Sequence, residues 1–446
     1  MRRTDFAVTM SEADSISILL AVTAFCLLAK LFYDLHKNKH KNFPPGPMWL
    51  PIIGSMYMFD AKKPYLTMEH LSKKYGSIFS FQMGQKKIVV LCGYDVVKEA
   101  LIKHGDEFCD RPHVPLFADL TRGYGIVFSN DENWNVIRRF TFTALRQLGV
   151  GSKVIENVVN EECDMLVTSI KSQEGQAFDI LPVLSTAVTN ILIHIILGPE
   201  YNCEDPTILR AKHLIEEGVK LTACPTSLVK SKSGLYFHNE NLNMVVNNLL
   251  IGGMEPVHST LRWGLLLMMK YPDIQEKVQN EIDKVIGFSQ PQIEHRKEMP
   301  FTNAVIHEIQ RFGNIAPIGI PRATTRDIAF KGYFLPKGTF VIMLMKTVLQ
   351  DKNYFEKPEE FYPQHFLDSD GNFMINEAFI PFSAGKRSCI GENLAKIQLF
   401  LFFTRLLQNF TFLPCPGVDL DFTPEIGFVS SPKPYTMRAV PRSQTD

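Results

Sequence analysis

The chain contains the stretch Phe382-Ser383-Ala384-Gly385-Lys386-Arg387-Ser388-Cys389-Ile390-Gly391, which holds one cysteine between two glycines. Gly385 and Gly391 permit backbone turns and close approaches that a Cβ atom would forbid. The run from Glu392 to Phe403 is mostly apolar and predicts a helix, whose first amides would point back at the sulfur. A helix N-terminus or a cation nearby lowers the pKa of a thiol, and the thiolate is the form that binds metal. The stretch therefore predicts a presented thiolate at Cys389.

One thiolate alone is a poor ligand set for a bare metal ion, and the sequence has no second cysteine or histidine near Cys389 at the spacing of a zinc or iron–sulfur site. A single thiolate can, however, be the one protein ligand of a haem iron. The pattern Phe382-x-x-Gly385-x-Arg387-x-Cys389-x-Gly391 resembles the haem-binding loop of the cytochrome P-450 monooxygenases. The resemblance implies haem b as the cofactor and Cys389 as its metal ligand.

Composition limits the class of protein. The chain has 446 residues, of which 45% are hydrophobic and 21% are charged, so a packed globular fold is expected. The formal net charge is zero, which gives no support to nucleic-acid binding. The eight cysteines are scattered without a CxxC pair, a distribution typical of free thiols in a reducing compartment.

The N-terminal region predicts a single transmembrane helix. Residues 15–33 are mostly apolar and long enough to span a membrane. Lys37, Lys39 and Lys41 follow this run. Basic residues directly after an apolar segment stop its transfer across the membrane, so the later chain is predicted on the cytoplasmic side. A cleaved signal peptide is the alternative. The predicted segments are a short lumenal tail (1–14), the anchor (15–33), a basic and proline-rich hinge (34–51) and a haem-thiolate catalytic domain (52–446).

The remaining patterns resemble the cytochrome P-450 fold, which is mainly helical with a small β-rich side. Strands are predicted at 78–83 and 87–92 and within 322–328 and 332–339. Helices are predicted at 95–103, 153–170, 184–197, 261–270, 274–286 and 304–312. The resemblance covers nearly all of residues 44–441. It is closest to the animal microsomal branch, which oxidises drugs, steroids and fatty acids.

One tryptophan and several arginines match positions that bind the haem propionates in this family. Trp134 and Arg138 lie one helical turn apart and offer an indole N–H and a guanidinium, donors that suit a propionate carboxylate. An ordinary amphipathic helix would carry the same pair, and the match to the family's Trp-x-x-x-Arg motif favours the haem. By the same resemblance, Arg111, Arg322 and Arg387 also reach the propionates.

Glu308 and Arg311 stand at i and i+3 of a predicted helix. A surface pair of this kind contributes little to stability. The pair resembles the Glu-x-x-Arg motif of the cytochromes P-450, which is buried and helps to hold the haem side of the fold. The segment 361–366, which includes His365, matches the family's partner segment.

The stretch 248–263 resembles the long helix that crosses the haem, with one departure. Gly252 and Gly253 match the small residues that leave room for dioxygen and substrate, and Glu255 matches the acid that relays protons through water. The next position is usually threonine, whose hydroxyl assists oxygen protonation, but this chain has Pro256. Proline lacks the hydroxyl and the backbone N–H, and it disrupts a helix interior.

Three consequences of this proline are open. In the first, water together with Glu255, His258 or Ser259 replaces the hydroxyl. In the second, the protein rearranges a peroxide or accepts a preformed one. In the third, turnover is lost. Ser259 lies one turn beyond Glu255 on the same face. We therefore take Glu255 and Ser259 as the candidate catalytic residues.

A second departure is a gap in the lid of the substrate pocket. Residues 211–229 resemble the helix that roofs this pocket, and the chain from Tyr236 already resembles the approach to the haem-crossing helix. The family usually has two further helices between them, where this chain keeps only residues 230–235. A more open pocket and a less stable fold are expected. An alternative transcript or a faulty gene model would leave the same gap.

The resemblance implies a monooxygenase that inserts one oxygen atom from O2 into a lipophilic xenobiotic, steroid or fatty acid. The implied partners are NADPH–cytochrome reductase, a cytochrome b-type donor and the endoplasmic reticulum membrane, with the catalytic domain on its cytoplasmic side. The cations that could meet an acidic donor are Arg138, Arg139, Lys386 and Lys396. The alternative is a haem-binding protein that has lost turnover or performs peroxide or isomerase chemistry.

The substrate pocket wall is expected to include residues 113–120, 315–320 and 428–429. These segments are mostly apolar, which indicates a lipophilic ligand without identifying it.

Overall fold

The computed structural model describes residues 12–37, 42–60, 62–198, 238–427 and 429–442. In these ranges the α-helices are α1 (Glu12–Lys37), α2 (Pro64–Tyr75), α3 (Tyr94–Lys98), α4 (Pro115–Thr121), α5 (Asp131–Gln147), α6 (Lys153–Lys171), α7 (Leu181–Leu197), α8 (Asn239–Lys270), α9 (Pro272–Val285), α10 (Pro300–Gly313), α11 (Met345–Leu349) and α12 (Glu392–Asn409). The strands are β1 (Ile78–Met83), β2 (Lys86–Leu91), β3 (Arg322–Ala323), β4 (Ile328–Phe330), β5 (Tyr333–Leu335), β6 (Phe340–Met343), β7 (Phe410–Pro414), β8 (Pro424–Ile426), β9 (Ser430–Pro432) and β10 (Met437–Pro441).

The main sheet joins distant parts of the chain. Its strand order is β1-β2-β6-β3, and β1 and β2 form an antiparallel hairpin in which Phe79 lies opposite Val90. β2 then runs parallel to β6, so that the chain from 92 to 339 forms the crossover between them. Three further antiparallel pairs, β4–β5, β7–β10 and β8–β9, complete the β-rich side.

The largest core lies among helices α6 to α10 and α12. Helix α12 is apolar around most of its circumference, and Phe400, Phe402 and Phe403 are each at most 1% exposed. A helix of this kind is stable only when other elements cover it on every side. Because α12 begins directly after the Cys389 loop, its burial determines where that loop lies.

The mainly helical architecture with a small β-rich side is confirmed. The strand predicted at 78–83 is β1, and the strand predicted at 87–92 is β2, displaced by one residue. The helix predicted at 95–103 is α3 followed by a π-helical turn, Glu99–Lys103. The helix predicted at 261–270 is the C-terminal part of the much longer α8. The roofing segment 211–229 and the short connection 230–235 lie outside the described residues.

Helix α8 runs through Pro256, so the expected disruption of the helix is wrong. The Thr260 hydroxyl donates to the Pro256 carbonyl at 2.7 Å. Since proline has no N–H, the Gly252 carbonyl lacks its i+4 donor, but Gly252 is exposed and water can donate there. The buried residues that follow, among them Leu265 and Leu266, hold the helix in the core on the other side of the proline.

The N-terminal part of the chain consists of α1 and a proline-rich segment. Within the residues that the structure describes, no helix has the combined length and apolar character needed to cross a membrane. The proline-rich segment is bound to the first strand: the Ser80 N–H donates to the Pro45 carbonyl at 2.7 Å, and the Ser80 hydroxyl donates to the Pro44 carbonyl at 2.7 Å. The described part of this segment is therefore fixed to the sheet.

The predicted Glu308–Arg311 pair is confirmed as a buried structural pair. Arg311 donates from Nε and Nη2 to the two carboxylate oxygens of Glu308, each at 2.7 Å, and both side chains are fully buried. The other Arg311 hydrogen bonds go to the carbonyls of Leu349, Pro358 and Glu360. Glu308 also accepts from the Tyr362 N–H at 2.8 Å and lies 3.2 Å from Nδ1 of His365. The pair thus ties α10 to the segment before the cysteine loop.

Replacing Arg311 by leucine is expected to destabilise the fold severely. The change leaves the Glu308 carboxylate buried without its cation, a defect that costs about 3–5 kcal/mol. The urea concentration at the midpoint of unfolding measures the loss. Lys433→Ala is the control, because it breaks an exposed pair with Asp421 and is expected to leave the midpoint unchanged. Equal midpoints for both variants would contradict a structural role for the buried pair.

Candidate active site

The cysteine loop is held against the π-helical turn Glu99–Lys103. Gly385 has a φ of +70°, and a Cβ atom at this position would collide with the carbonyl oxygen of Leu101. The Cys389 N–H donates to the Phe382 carbonyl at 3.0 Å and closes the loop. Helix α12 begins at the next turn, with Gly391 as its N-cap. The loop therefore requires glycine at 385 both for its backbone conformation and for its contact with the turn.

Opposing effects act on the Cys389 thiol. The residue as a whole is exposed, but protein atoms surround its sulfur closely enough that desolvation raises the pKa of the thiol above its usual value. The backbone amides of Gly391 and Glu392 and the Arg138 guanidinium lower that pKa, as the sequence predicts. Desolvation is the larger effect on this pKa when no metal ion is bound. A bound metal ion would favour the thiolate, because a thiol that coordinates a metal is deprotonated.

The four predicted propionate arginines form one cluster, in which Arg111, Arg322 and Arg387 are buried and Arg138 is partly buried. Arg111 and Arg322 come together because Asp110 pairs with Ala323 of β3, while Arg387 enters from the cysteine loop and Arg138 from α5. Within the described ranges, none of the four arginines forms an ion pair with a carboxylate. Desolvation, followed by repulsion from Arg387, lowers the pKa of Arg322 to about 10.

The arginines donate mainly to backbone carbonyls. Arg111 donates to Val127, Ile320 and Pro321 at 2.7–2.9 Å. Arg387 donates to Cys109 and Ser129 at 2.9 and 2.7 Å, and Arg138 donates to Ser388 at 2.7 Å. Carbonyls neutralise little of the positive charge, so the cluster is a candidate anion site.

Trp134 completes this anion site. Its side chain is 5% exposed, and its Nε1–H has no hydrogen-bond partner among the described residues. The Cζ atoms of Arg387 and Arg138 lie 3.8 and 5.8 Å from the centre of the indole ring. A buried donor without a partner, beside buried guanidiniums without a carboxylate, fits an anionic acceptor such as a haem propionate.

The comparisons with known proteins support this interpretation. A sequence model of the family described as Cytochrome P450 matches residues 44–229 and 222–439. The chain belongs to the cytochrome P450 family. It is 41% identical to Cytochrome P450 2K1 of Oncorhynchus mykiss over 90% of this chain and 92% of that protein. It is 41% identical to Cytochrome P450 2K6 of Danio rerio, over 88% and 90%, and 36% identical to Cytochrome P450 2A10 of Oryctolagus cuniculus, over 95% and 99%.

Membership of the cytochrome P450 family confirms the predicted cofactor and activity. The protein is a haem-thiolate monooxygenase that binds haem b and acts on lipophilic substrates. Its electrons come from NADPH through a reductase. The relatives belong to the animal microsomal branch that the sequence motifs indicate.

The matches also support the predicted gap in this P450. The family model matches in two pieces that meet between residues 222 and 229. The alignment to Cytochrome P450 2K1 spans 462 positions but covers 90% of the 446 residues of this chain, so about 60 aligned positions have no residue here. This break lies directly before residues 230–235, where the sequence predicts two missing lid helices. The effects on pocket opening and stability remain predictions.

The candidate catalytic residues of α8 have different surroundings. The Glu255 Oε2 lies 3.9 Å from Nε2 of His258, and 20% of the Glu255 side chain is exposed. The Ser259 hydroxyl is fully buried and shares a hydrogen bond of 2.7 Å with the hydroxyl of Ser431 in β9. Trp263 donates from Nε1 to the Ser430 carbonyl at 3.1 Å on the same strand. Ser259 is thus part of the contact between α8 and β9.

Two of the three predicted wall segments meet in the structure. The Ser430 N–H donates to the Ile315 carbonyl at 2.7 Å, which brings Val429 beside residues 315–320. Residues 113–120 fall largely in α4, whose Phe117 ring stacks on Phe128 at 3.9 Å between centroids. Residue 428 lies outside the described residues.

The cations predicted to meet an electron donor are not equivalent. Lys386 pairs with Asp106, and Lys396 pairs with Glu392 at 2.6 Å. Arg138 is partly buried and donates to the cysteine loop, whereas Arg139 is exposed on α5. Of the four, Arg139 is the one that is exposed without an ion pair to a carboxylate among the described residues.

The sequence analysis missed Asn130, which organises the arginine cluster. Its Oδ1 accepts from the Arg111 N–H at 2.7 Å and from Nη2 of Arg387 at 3.2 Å, and its Nδ2 donates to the Arg111 carbonyl. Asn130 is the N-cap of α5, but its side chain makes no capping hydrogen bond. An asparagine before a helix normally indicates a cap, so the sequence contains a signal for this residue but not for its contact with the arginines.

Proposed function

We propose that Cys389 is the protein ligand of the haem iron and that Trp134, Arg111, Arg138, Arg322 and Arg387 bind the haem propionates. The observation that carries this proposal is the buried Nε1–H of Trp134, which lacks a partner among the described residues and lies beside arginines without carboxylates. The bound haem supplies dioxygen activation and the transfer of one oxygen atom to the substrate. The residues named here bind and orient it.

Glu255 and Ser259 are the proposed catalytic residues on α8. The Glu255 carboxylate is partly accessible and close to His258, so this pair can hold and pass a proton to water. Ser259 has less support, because its hydroxyl already shares a hydrogen bond with Ser431. A threonine hydroxyl at position 256 would assist the protonation of oxygen. In the proposal, Glu255 and water deliver this proton instead.

The cysteine side is the proposed contact for acidic electron donors, which are the reductase and a cytochrome b-type protein. Arg139 supports this assignment because it is exposed on α5, whose Arg138 contacts the cysteine loop. Charge complementarity of this kind mainly speeds association. Arg139→Glu is expected to slow reduction by the reductase at low salt, whereas an unchanged rate would reject this contact.

The carbon monoxide difference spectrum of the reduced, membrane-expressed protein tests the haem assignment. A strongly red-shifted Soret band is expected, because thiolate ligation raises the electron density on the haem iron. Cys389→Ser is expected to abolish this band, and Cys26→Ser, which changes an exposed cysteine of α1, is expected to keep it. A band at the position of neutral-ligand haem in the unchanged protein would reject thiolate ligation.

Substitutions at Pro256 separate an active oxygenase from a haem protein with impaired turnover. Pro256→Thr adds a hydroxyl and a backbone N–H, whereas the matched control Pro256→Val adds only the N–H. If the hydroxyl is the missing element, the threonine variant yields on the order of tenfold more product per NADPH consumed, and the valine variant does not. The measurement is the ratio of product formed to NADPH oxidised.

Equal gains in both variants would attribute the defect to the helix backbone. No gain in either would attribute it to the gap in the lid. Product formation from added peroxide, without NADPH, would favour the peroxide-dependent alternative.

We also propose that the protein is anchored in the endoplasmic reticulum membrane through residues 15–33, with its catalytic domain on the cytoplasmic side. Leu19, Leu20 and Phe25 of α1 are 66–72% exposed, and Ile52 and Tyr57 near the start of the domain are 84% and 53% exposed. Exposed apolar surfaces of this kind favour contact with a membrane. The protein is expected to stay with microsomes after an alkaline wash, and its release into the supernatant would reject the anchor.

A further inference from the structure

The segment of residues 125–130, between α4 and α5, is bound from one side by two of the haem-edge arginines. Arg111 donates from Nε to the Val127 carbonyl at 2.9 Å, and Arg387 donates from Nη2 to the Ser129 carbonyl at 2.7 Å. These contacts use the carbonyl groups of the segment. The orientation of both guanidiniums therefore depends on where this short piece of backbone lies.

Helix α8 binds the N–H groups of the same segment. Oδ1 of Asn248 accepts from the Ile126 N–H at 2.9 Å and from the Val127 N–H at 3.2 Å. Oδ1 of Asn241 accepts from the Gly125 N–H at 2.7 Å. The two asparagines are seven residues apart, about two helical turns, and so lie on the same face of α8.

The approach of α8 to this segment is close and specific. Gly125 has a φ of +79°, and a Cβ atom there would collide with the Asn248 side chain. Ile126 packs in an apolar cluster with Val245 of α8 and Ile390, the residue after Cys389. The segment is thus enclosed by α8, by the arginine cluster and by the cysteine loop.

We infer that Asn248 is a positioning residue for the haem. Its carboxamide oxygen fixes the N–H groups of Ile126 and Val127, and the carbonyls of the same segment orient Arg111 and Arg387 toward the propionates. Asn248 acts through this backbone and does not contact the haem itself. The inference rests on the proposed role of the arginines, and it couples α8 to haem binding at a position distant from Pro256.

A set of three variants tests this coupling in the full-length protein. Asn248→Leu removes the acceptor and leaves two N–H groups without a partner. Asn248→Asp keeps an acceptor for the Ile126 and Val127 N–H groups and adds a negative charge to it. Asn247→Leu is the matched control, because it makes the same change at the neighbouring exposed residue.

Two measurements are made on each variant: hydrogen exchange of the Ile126 and Val127 amides, and the rate at which haem transfers to apomyoglobin. For Asn248→Leu, both are expected to rise by about tenfold or more, because two partly buried hydrogen bonds are lost. Asn248→Asp is expected to restore slow exchange and slow haem transfer. Asn247→Leu is expected to match the unchanged protein. If Asn248→Leu does not accumulate as folded protein, Asn248→Ala removes the same acceptor without adding apolar bulk.

Three results would overturn the inference. Unchanged amide exchange in the leucine variant would mean that Asn248 does not hold the segment. Faster exchange with unchanged haem transfer would mean that the segment does not control haem retention. Failure of the aspartate variant to restore both would mean that the acceptor is not the relevant property. In each case the unchanged protein still gives the thiolate spectrum, whereas absence of haem from the unchanged protein would reject the proposed function as well.

Discussion

Burial of α12 is the constraint on which the haem side of this protein depends. The helix has large apolar residues around most of its circumference and is covered by α6, α8, α9 and α10. Its N-terminus can therefore occupy only one place, and Cys389 lies one turn before it. The contact of Gly385 with Leu101 and the hydrogen bonds of Arg387 then fix the loop that carries the cysteine. Packing of a core helix thus determines the position of the proposed metal ligand.

Electrostatics at the haem edge follow from this arrangement. Four arginines and one indole N–H converge where the described protein supplies mainly carbonyls as acceptors. Among the described residues no carboxylate forms an ion pair with these arginines, and Asp110 acts on Arg387 only through its electrostatic field. Burying guanidiniums in this way is unfavourable, as the lowered pKa values of Arg322 and Arg387, each about 10, indicate. In the proposed assignment an anionic cofactor edge would relieve this repulsion, and binding of the cofactor would then stabilise the fold. The Glu308–Arg311 pair differs, because it already has its own partner and serves only the fold.

Helix α8 contacts two separate parts of the protein, strand β9 and the 125–130 segment. Its C-terminal half contacts β9 through Ser259 and Trp263, and its N-terminal half contacts the 125–130 segment through Asn241 and Asn248. These anchors lie on both sides of Pro256. They explain how the helix tolerates a proline that removes one of its own hydrogen bonds. The chain also lacks about 60 positions of its relative Cytochrome P450 2K1, which makes the remaining anchors of α8 more important.

The sequence by itself determined the family, the Glu308–Arg311 pair and most helices and strands, and it identified Cys389 as the candidate metal ligand. These features rest on local patterns: spacing around a cysteine, an i and i+3 pair, and runs of apolar residues. Only the tertiary structure decided that α8 continues through Pro256 and that the Ser259 hydroxyl meets Ser431. It also decided that Asn130 contacts Arg111 and Arg387 and that Asn248 binds the 125–130 segment. The reason is physical. Each of these features depends on a partner far along the chain, whose hydrogen bond overrides the local preference of proline, serine or asparagine.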